Sequence, residues 1–223
     1  IEVGNNEEKT STQKVIHDHF IHNLNEKRSN SKQVQNENET IILQNELISQ
    51  IFSISGNKLK TKSFTNFKAQ PEVELPLNDE SEEFIFSIDF GTGTATEIKS
   101  SSFDLDNYNK IDLESSEKIT FTYKPYVINS VEFKIIINYE LFKGKNYIEK
   151  EIKISVPDDK KNIKFNYIDL VHFVVSDLIK NNSWTHPSIT SDRNDILSEY
   201  IISLGQPVYM NTFFTGCRFP LTD

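Results

Sequence analysis

Residues 131–156, VEFKIIINYELFKGKNYIEKEIKISV, decide the fold of this chain. The first arm sets Val131, Phe133, Ile135, Ile137, Tyr139 and Leu141 on one face. Glu132, Lys134, Asn138 and Glu140 fall on the other, and Ile136 is the one apolar residue out of phase before Phe142. A period of two is the mark of a strand with one face packed and one face wet. Lys143-Gly144-Lys145-Asn146 is turn chemistry, because Gly and Asn accept positive φ at little cost. The second arm resumes the alternation, with Ile148, Ile152, Ile154 and Val156 against Glu149, Glu151, Lys153 and Ser155. Two such strands joined by a tight turn form a β-hairpin, and a hairpin this long needs a further sheet over its apolar face.

Working outward, the same texture recurs. From Thr40 short alternating runs surround a Gly56-Asn57 turn, and Pro71 and Pro76 mark an extended connection. Phe84, Phe86 and Ile88 share one face of a strand over 83–89, and Ile119, Phe121 and Tyr123 share one over 118–124. Gly91-Thr92-Gly93-Thr94 lacks the GK[ST] and following helix of a phosphate loop, so it reads as a turn. Residues 163–175 are apolar on both faces, which predicts a central strand buried on both sides, with His172 a hydrogen-bonded core histidine. Residues 181–191 read as a loop around Trp184, His186 and Pro187, with a short helix capped by Ser191 or Asp192 running to Tyr200. After Gly205-Gln206-Pro207 the chain returns to strand over 208–214. Residues 1–39 form a polar N-terminal arm or linker with at most one short helix near 11–25, and 40–223 form the β-sandwich domain. No stretch is helical enough for a Rossmann or barrel unit, so the fold class is all-β and antiparallel.

Composition narrows the function. Sixteen Phe and eight Tyr against seven Gly suit a sheet-rich core. A formal charge of −9 with scattered lysines argues against a nucleic-acid partner. No run reaches the ~18 apolar residues of a membrane helix. One cysteine, Cys217, makes no internal disulfide and fits either a reducing compartment or an exoprotein that avoids Cys. Ile1 is not an initiator Met, so a processed or excised form is expected. His17, His19 and His22 form an HxHxxH cluster, yet no second ligand pair follows at a metal-site spacing; a solvated tail is the reading, and neither metal nor cofactor is expected. The acidic clusters Glu80–Glu83 and Glu114–Glu117 read as solvated loops, with no EF-type calcium spacing.

The order of the segments NELISQIFSISGNKLKTKSFTN, SEEFIFSID, INYELFKGKNYIEKEIKIS, YIDLVHFVV and LGQPVYMNTFFTGCRFPLTD resembles a known family. It is similar to the galactose-mutarotase-like β-supersandwich that precedes the catalytic barrel in retaining, α-galactosidase-like (melibiase-like) glycoside hydrolases of clostridia and bacilli. The likeness covers roughly 40–223; the YELF hairpin and the closing GQP…FF.G…FP segment are its most specific pieces. It implies an antiparallel two-sheet supersandwich that packs on a downstream catalytic barrel. The double-displacement carboxylates would lie on that barrel, so no catalytic residue carries over. Arg218 stands where the family pattern carries an acid. An extracellular or cell-surface location follows from the likeness, with a cytoplasmic one left open.

Two other classes stay open beside it. A free-standing carbohydrate-binding module or surface protein fits the polar arm and a chain without a barrel. A small aldose-epimerase-like enzyme would need a general base and a partnering acid in one cleft, and His172 and His186 sit in no catalytic motif. Sugar recognition would combine an aromatic face with a few orienting polar groups. Trp184, His186, Asn211, Arg218 and Asp223 are the candidates for carbohydrate binding, although Trp184 equally suits an anchor plugging one end of the sandwich. Tyr209, Phe213, Phe214, Phe219 and Pro220 are candidates for docking the barrel, because Phe213 and Phe214 point to opposite faces of a strand. Cys217 reads as a small buried hydrophobe.

Overall fold

The computed structural model describes residues 30–34, 38–157 and 163–174, together with the backbone of four short strands beyond them. The described elements begin with β1 (Asn30–Gln33), β2 (Glu39–Gln44), β3 (Ile48–Ser55), β4 (Lys58–Asn66), β5 (Val73–Pro76) and β6 (Ile85–Asp89). It continues through β7 (Ala95–Lys99), a single 3-10 turn at Ser100–Ser102, β8 (Leu105–Asp112), β9 (Ser116–Tyr123), β10 (Tyr126–Ile128), β11 (Val131–Phe142) and β12 (Ile148–Ser155). Last come β13 (Lys164–Asp169), β14 (Trp184–His186), β15 (Ile189–Ser191), β16 (Val208–Met210) and β17 (Phe213–Thr215). The fold is all-β, and every named strand pair is antiparallel.

The hairpin read from 131–156 is the spine. β11 pairs with β12 on one register, Ile137 opposite Ile152, and with β9 on another, Ile137 opposite Phe121. That sheet is six-stranded; beside it stand a four-stranded sheet β2-β3-β4-β5 and a three-stranded sheet β13-β6-β7. Alternation along each strand sends one row of side chains inward, and the three rows meet in one core. Phe52 of β3 lies 4.8 Å from the ring of Tyr139 on β11, and Phe86 of β6 lies 5.8 Å from Phe133 on β11. The aromatic-rich composition is thus spent on joining sheet to sheet.

Turn chemistry behaves as its residues dictate. Gly56 and Asn57 both take positive φ, 55° and 62°, the pair of left-handed residues that a two-residue hairpin matched to strand twist requires. In the Gly-Thr-Gly-Thr turn, the Asp89 carboxylate accepts from the backbone N–H groups of Gly91, Thr92 and Gly93 at 2.9–3.0 Å.

Three readings need correction. Residues 163–175 are not a strand buried on both sides: β13 is the edge of its sheet, and Tyr167, Ile168, Leu170 and Val171 are 36–43% exposed. His172 is exposed too, joined to Glu82 through the backbone in an isolated bridge. Apolar faces on both sides mark a strand that expects cover, and the cover need not come from the neighbours in its own sheet. Within 181–191, read as a loop, Trp184–His186 and Ile189–Ser191 are instead the antiparallel pair β14–β15, with Trp184 opposite Ser191. Residues 208–214 are not one strand: β16 and β17 are the arms of a hairpin, so Met210 pairs with Phe213 and Tyr209 with Phe214. Phe213 and Phe214 therefore occupy successive, opposite-facing register positions, as alternation requires. Asn30–Gln33, within the polar stretch, adds an edge strand to β8. The short helices expected near 11–25 and 192–200 lie outside the described residues.

Candidate functional site

The most concentrated chemistry among the described residues is a polar seam inside the sandwich, and sequence reading missed it. Glu82 and Glu83, expected in a solvated acidic loop, are 9% and 1% exposed. They lead through the buried Phe84 into β6, whose Phe86 and Ile88 fill the core, so the chain carries the acids inward. Neighbouring residues of an extended chain face opposite ways, and the two carboxylates accordingly bind different elements.

Glu83 faces β4 and the central hairpin. Its Oε1 accepts from the Thr61 backbone N–H at 2.6 Å and from Thr61 Oγ1 at 2.8 Å. Its Oε2 accepts from the Tyr139 hydroxyl and from Lys150 Nζ, the latter at 3.2 Å. Lys150 Nζ also donates to the Glu83 carbonyl at 2.5 Å and lies 5.0 Å from the Tyr139 ring centroid. Burial pulls the Lys150 ammonium below the ordinary lysine range, partly offset by Glu83. Burial likewise lifts the Tyr139 hydroxyl well above the usual tyrosine value, with the Glu83 charge adding to it. The Tyr123 hydroxyl, buried nearby, is raised by the same two causes, burial first.

Glu82 faces the 3-10 turn. It accepts from Ser100 Oγ at 2.6 Å, Ser101 N–H at 2.8 Å and Ser101 Oγ at 2.7 Å. A carboxylate offers about four lone-pair positions, and on Glu83 protein donors already take four. Such a group has no capacity left to take a proton from a substrate. The seam is therefore a lock between sheets rather than an acid–base pair.

A signal for it did exist. Lys150 occupies the inward phase of β12 between Ile148 and Ile152, directly opposite Tyr139. A lysine in an apolar row asks for a buried acid. Nothing in the local sequence says which of the chain's acids answers.

The second feature is an open groove of about 490 Å³ on the outer face of β2–β4. Lys58, Lys60 and Lys62 alternate outward along β4, with Asn38, Thr40 and Ser53 beside them. Each ammonium is already engaged. Lys58 pairs with Asp104 at 2.7 Å, Lys62 with Asp79 at 2.8 Å, and Lys60 donates to the Asp79 carbonyl. Hydrogen bonding and charge from Lys62 hold the exposed Asp79 carboxyl below its ordinary value. The groove offers donors and acceptors in near balance, not a cationic surface.

Of the residues singled out from sequence, Trp184, His186, Tyr209, Phe213 and Phe214 lie on β14, β16 and β17, where only the backbone is described. The register brings Trp184, Met210 and Phe213 into one cross-strand row. Asn211, Cys217, Arg218, Phe219, Pro220 and Asp223 lie outside the described residues, as do His17, His19 and His22. Among the described residues no cluster of His, Cys, Asp and Glu could hold a metal ion, and no helix is long and apolar enough to cross a membrane.

The architecture defines the class as an antiparallel β-sandwich. No family model, curated protein or solved structure matches the chain.

Proposed function

We propose that this chain is the non-catalytic N-terminal sandwich of an α-galactosidase-like glycoside hydrolase, packing on a downstream catalytic barrel and helping to shape its sugar site. One observation carries the reading: the deepest carboxylates are consumed by internal donors, four on Glu83 alone, which suits a scaffold and not a hydrolase centre. The ordered likeness of segments across 40–223 supplies the family. In this reading the parent enzyme acts outside the cell or at its surface, and Tyr209 and Phe214, which share one register face, contribute to the barrel-facing side together with Phe219 and Pro220. The isolated chain is expected to leave aryl α-galactosides unhydrolysed. Turnover that survives repurification and disappears with one substitution within 40–223 would refute the reading.

A second reading, a carbohydrate-binding module, draws on the groove over β2–β4. Its lysines, acids and hydroxyls suit the hydroxyl groups of a sugar. Titration calorimetry with galactosides separates the two: binding that is lost in Lys60→Ala favours the module, and no binding favours the scaffold.

A further inference from the structure

The core is closed at β6 and at the start of β13, where Phe165 packs 5.8 Å from Phe86, and open further along that segment. Phe86 is fully buried, yet its register partner on β13, Ile168, is 43% exposed. Partners in a ladder share a face, so Ile168 lies on the core side of its sheet, and so does Leu170, two residues on and 42% exposed. One edge of this segment is fastened. His172 and Glu82 exchange backbone hydrogen bonds of 2.8 and 3.2 Å, and Val174 accepts from Asn78 N–H at 2.8 Å. The other edge meets no strand among the described residues. An apolar edge strand with an unpaired side calls for cover.

The remaining chain holds an element with the complementary need. β14–β17 form a four-stranded sheet whose strands are three residues long. Sheets of that size do not stand alone without a face to pack on. Its register collects Trp184, Met210 and Phe213 in one row across three strands, with Val208 two residues from Met210 on the same side. Nine residues separate Val174 from Trp184, and the ten Cα steps between them span up to roughly 33–36 Å when extended. We propose that the Trp184–Met210–Phe213 row docks on Ile168 and Leu170 and closes the open end of the core. Trp184 then serves as an anchor, and the opposite register face, Tyr209 with Phe214, is the one left for a partner domain.

A second copy of the chain is the weaker occupant. It carries the same formal charge of −9, which works against self-association. The tethered segment competes at the high effective concentration of an intramolecular partner. This docking goes beyond the proposed enzyme context and does not depend on it.

The protein carries its own reporters, one Trp and one Cys. In the full chain, Trp184 emission is expected to be blue-shifted and poorly quenched by acrylamide. In Ile168→Asn it should move to the red with a several-fold larger quenching constant, while the far-ultraviolet strand signal stays. A red, freely quenched Trp184 in the unaltered chain, or emission unchanged by Ile168→Asn, overturns the proposal. Should Ile168→Asn fail to fold, Leu170→Cys with a short bismaleimide tests the same contact through Cys217, which follows β17 by two residues. Cross-linking within one chain supports docking. Cross-linking only between chains identifies a second copy as the occupant, and no cross-link leaves the face uncovered by this segment; either result overturns it.

Discussion

Replacing Lys150 by Met tests the buried seam most sharply. Met retains much of the stem volume and removes the ammonium from a side chain that is only one-tenth exposed in the pair with Glu83. The loss comprises the 3.2 Å ion pair, the 2.5 Å hydrogen bond to the Glu83 carbonyl, and the cation–ring contacts at 5.0 Å to Tyr139 and 5.7 Å to Phe173. Removing one partner of a buried pair costs about 3–5 kcal/mol, because the other charge is left in the interior. Thr61 and Tyr139 still donate to Glu83, which points to the lower end of that range, ~3 kcal/mol. With a urea slope of about 2 kcal/mol/M, the unfolding midpoint should fall by about 1.5 M.

The partner change, Glu83→Gln, keeps an acceptor for Thr61 and leaves Lys150 without its counter-charge. The double variant Glu83→Gln/Lys150→Met buries neither charge. It should be more stable than the summed single losses imply, by an interaction energy of about 1–3 kcal/mol. Chemical denaturation of all four proteins measures this directly. A loss below about 1 kcal/mol for Lys150→Met, the size of a surface pair, would show that Lys150 reaches solvent and that the seam is no lock.

Alkaline pH and one turn supply two further tests. Tyr108, Tyr123 and Tyr139 all have raised values in the fold, burial leading in each, so the stability they carry is full below their unfolded value near pH 10. It is lost as pH rises past that point. Lys150, lowered by burial, works the other way as pH approaches its unfolded value. Three groups against one predict a net fall in the urea midpoint above about pH 10, and a midpoint that keeps rising there would contradict it. Separately, Asn129 and Ser130 join β10 to β11 with φ of 50° and 61°. Ser is ill suited to the left-handed region, so Ser130→Gly should stabilise the protein by about 1 kcal/mol, read as a higher melting temperature; no gain or a loss counts against it.

The strength of each sequence reading followed the locality of its physics. The hairpin of β11 and β12 was legible because alternation, turn residues and register all lie within 131–156. The positive-φ pair at Gly56-Asn57 was legible for the same reason. Glu83 was not. Its neighbours Glu80 and Glu82 make the run look like a wet acidic loop, and its partners Thr61, Tyr139 and Lys150 come from three separate strands. Burial of that carboxylate is a tertiary decision, visible only as an out-of-place lysine in the apolar phase of β12. Residues 163–175 failed for a related reason. Period and composition report that both faces are apolar; they are silent on whether the cover is the next strand of the sheet or a segment further along the chain.

The two adjacent glutamates also explain how three sheets come to share one register. Apolar contacts are non-directional, so the inward rows of Phe and Ile would tolerate small slides of one sheet over another. Hydrogen bonds do not. Glu82 fixes the chain entering β6 to Ser100 and Ser101, and Glu83 fixes it to Thr61 of β4 and to Tyr139 and Lys150 of the central hairpin. A one-residue slip of β4 would exchange Thr61 for a lysine at the Glu83 contact, since Lys60 and Lys62 flank it. It would also turn Leu59 toward solvent. The slipped state loses on apolar burial and on the seam at the same time, so the two terms reinforce one geometry.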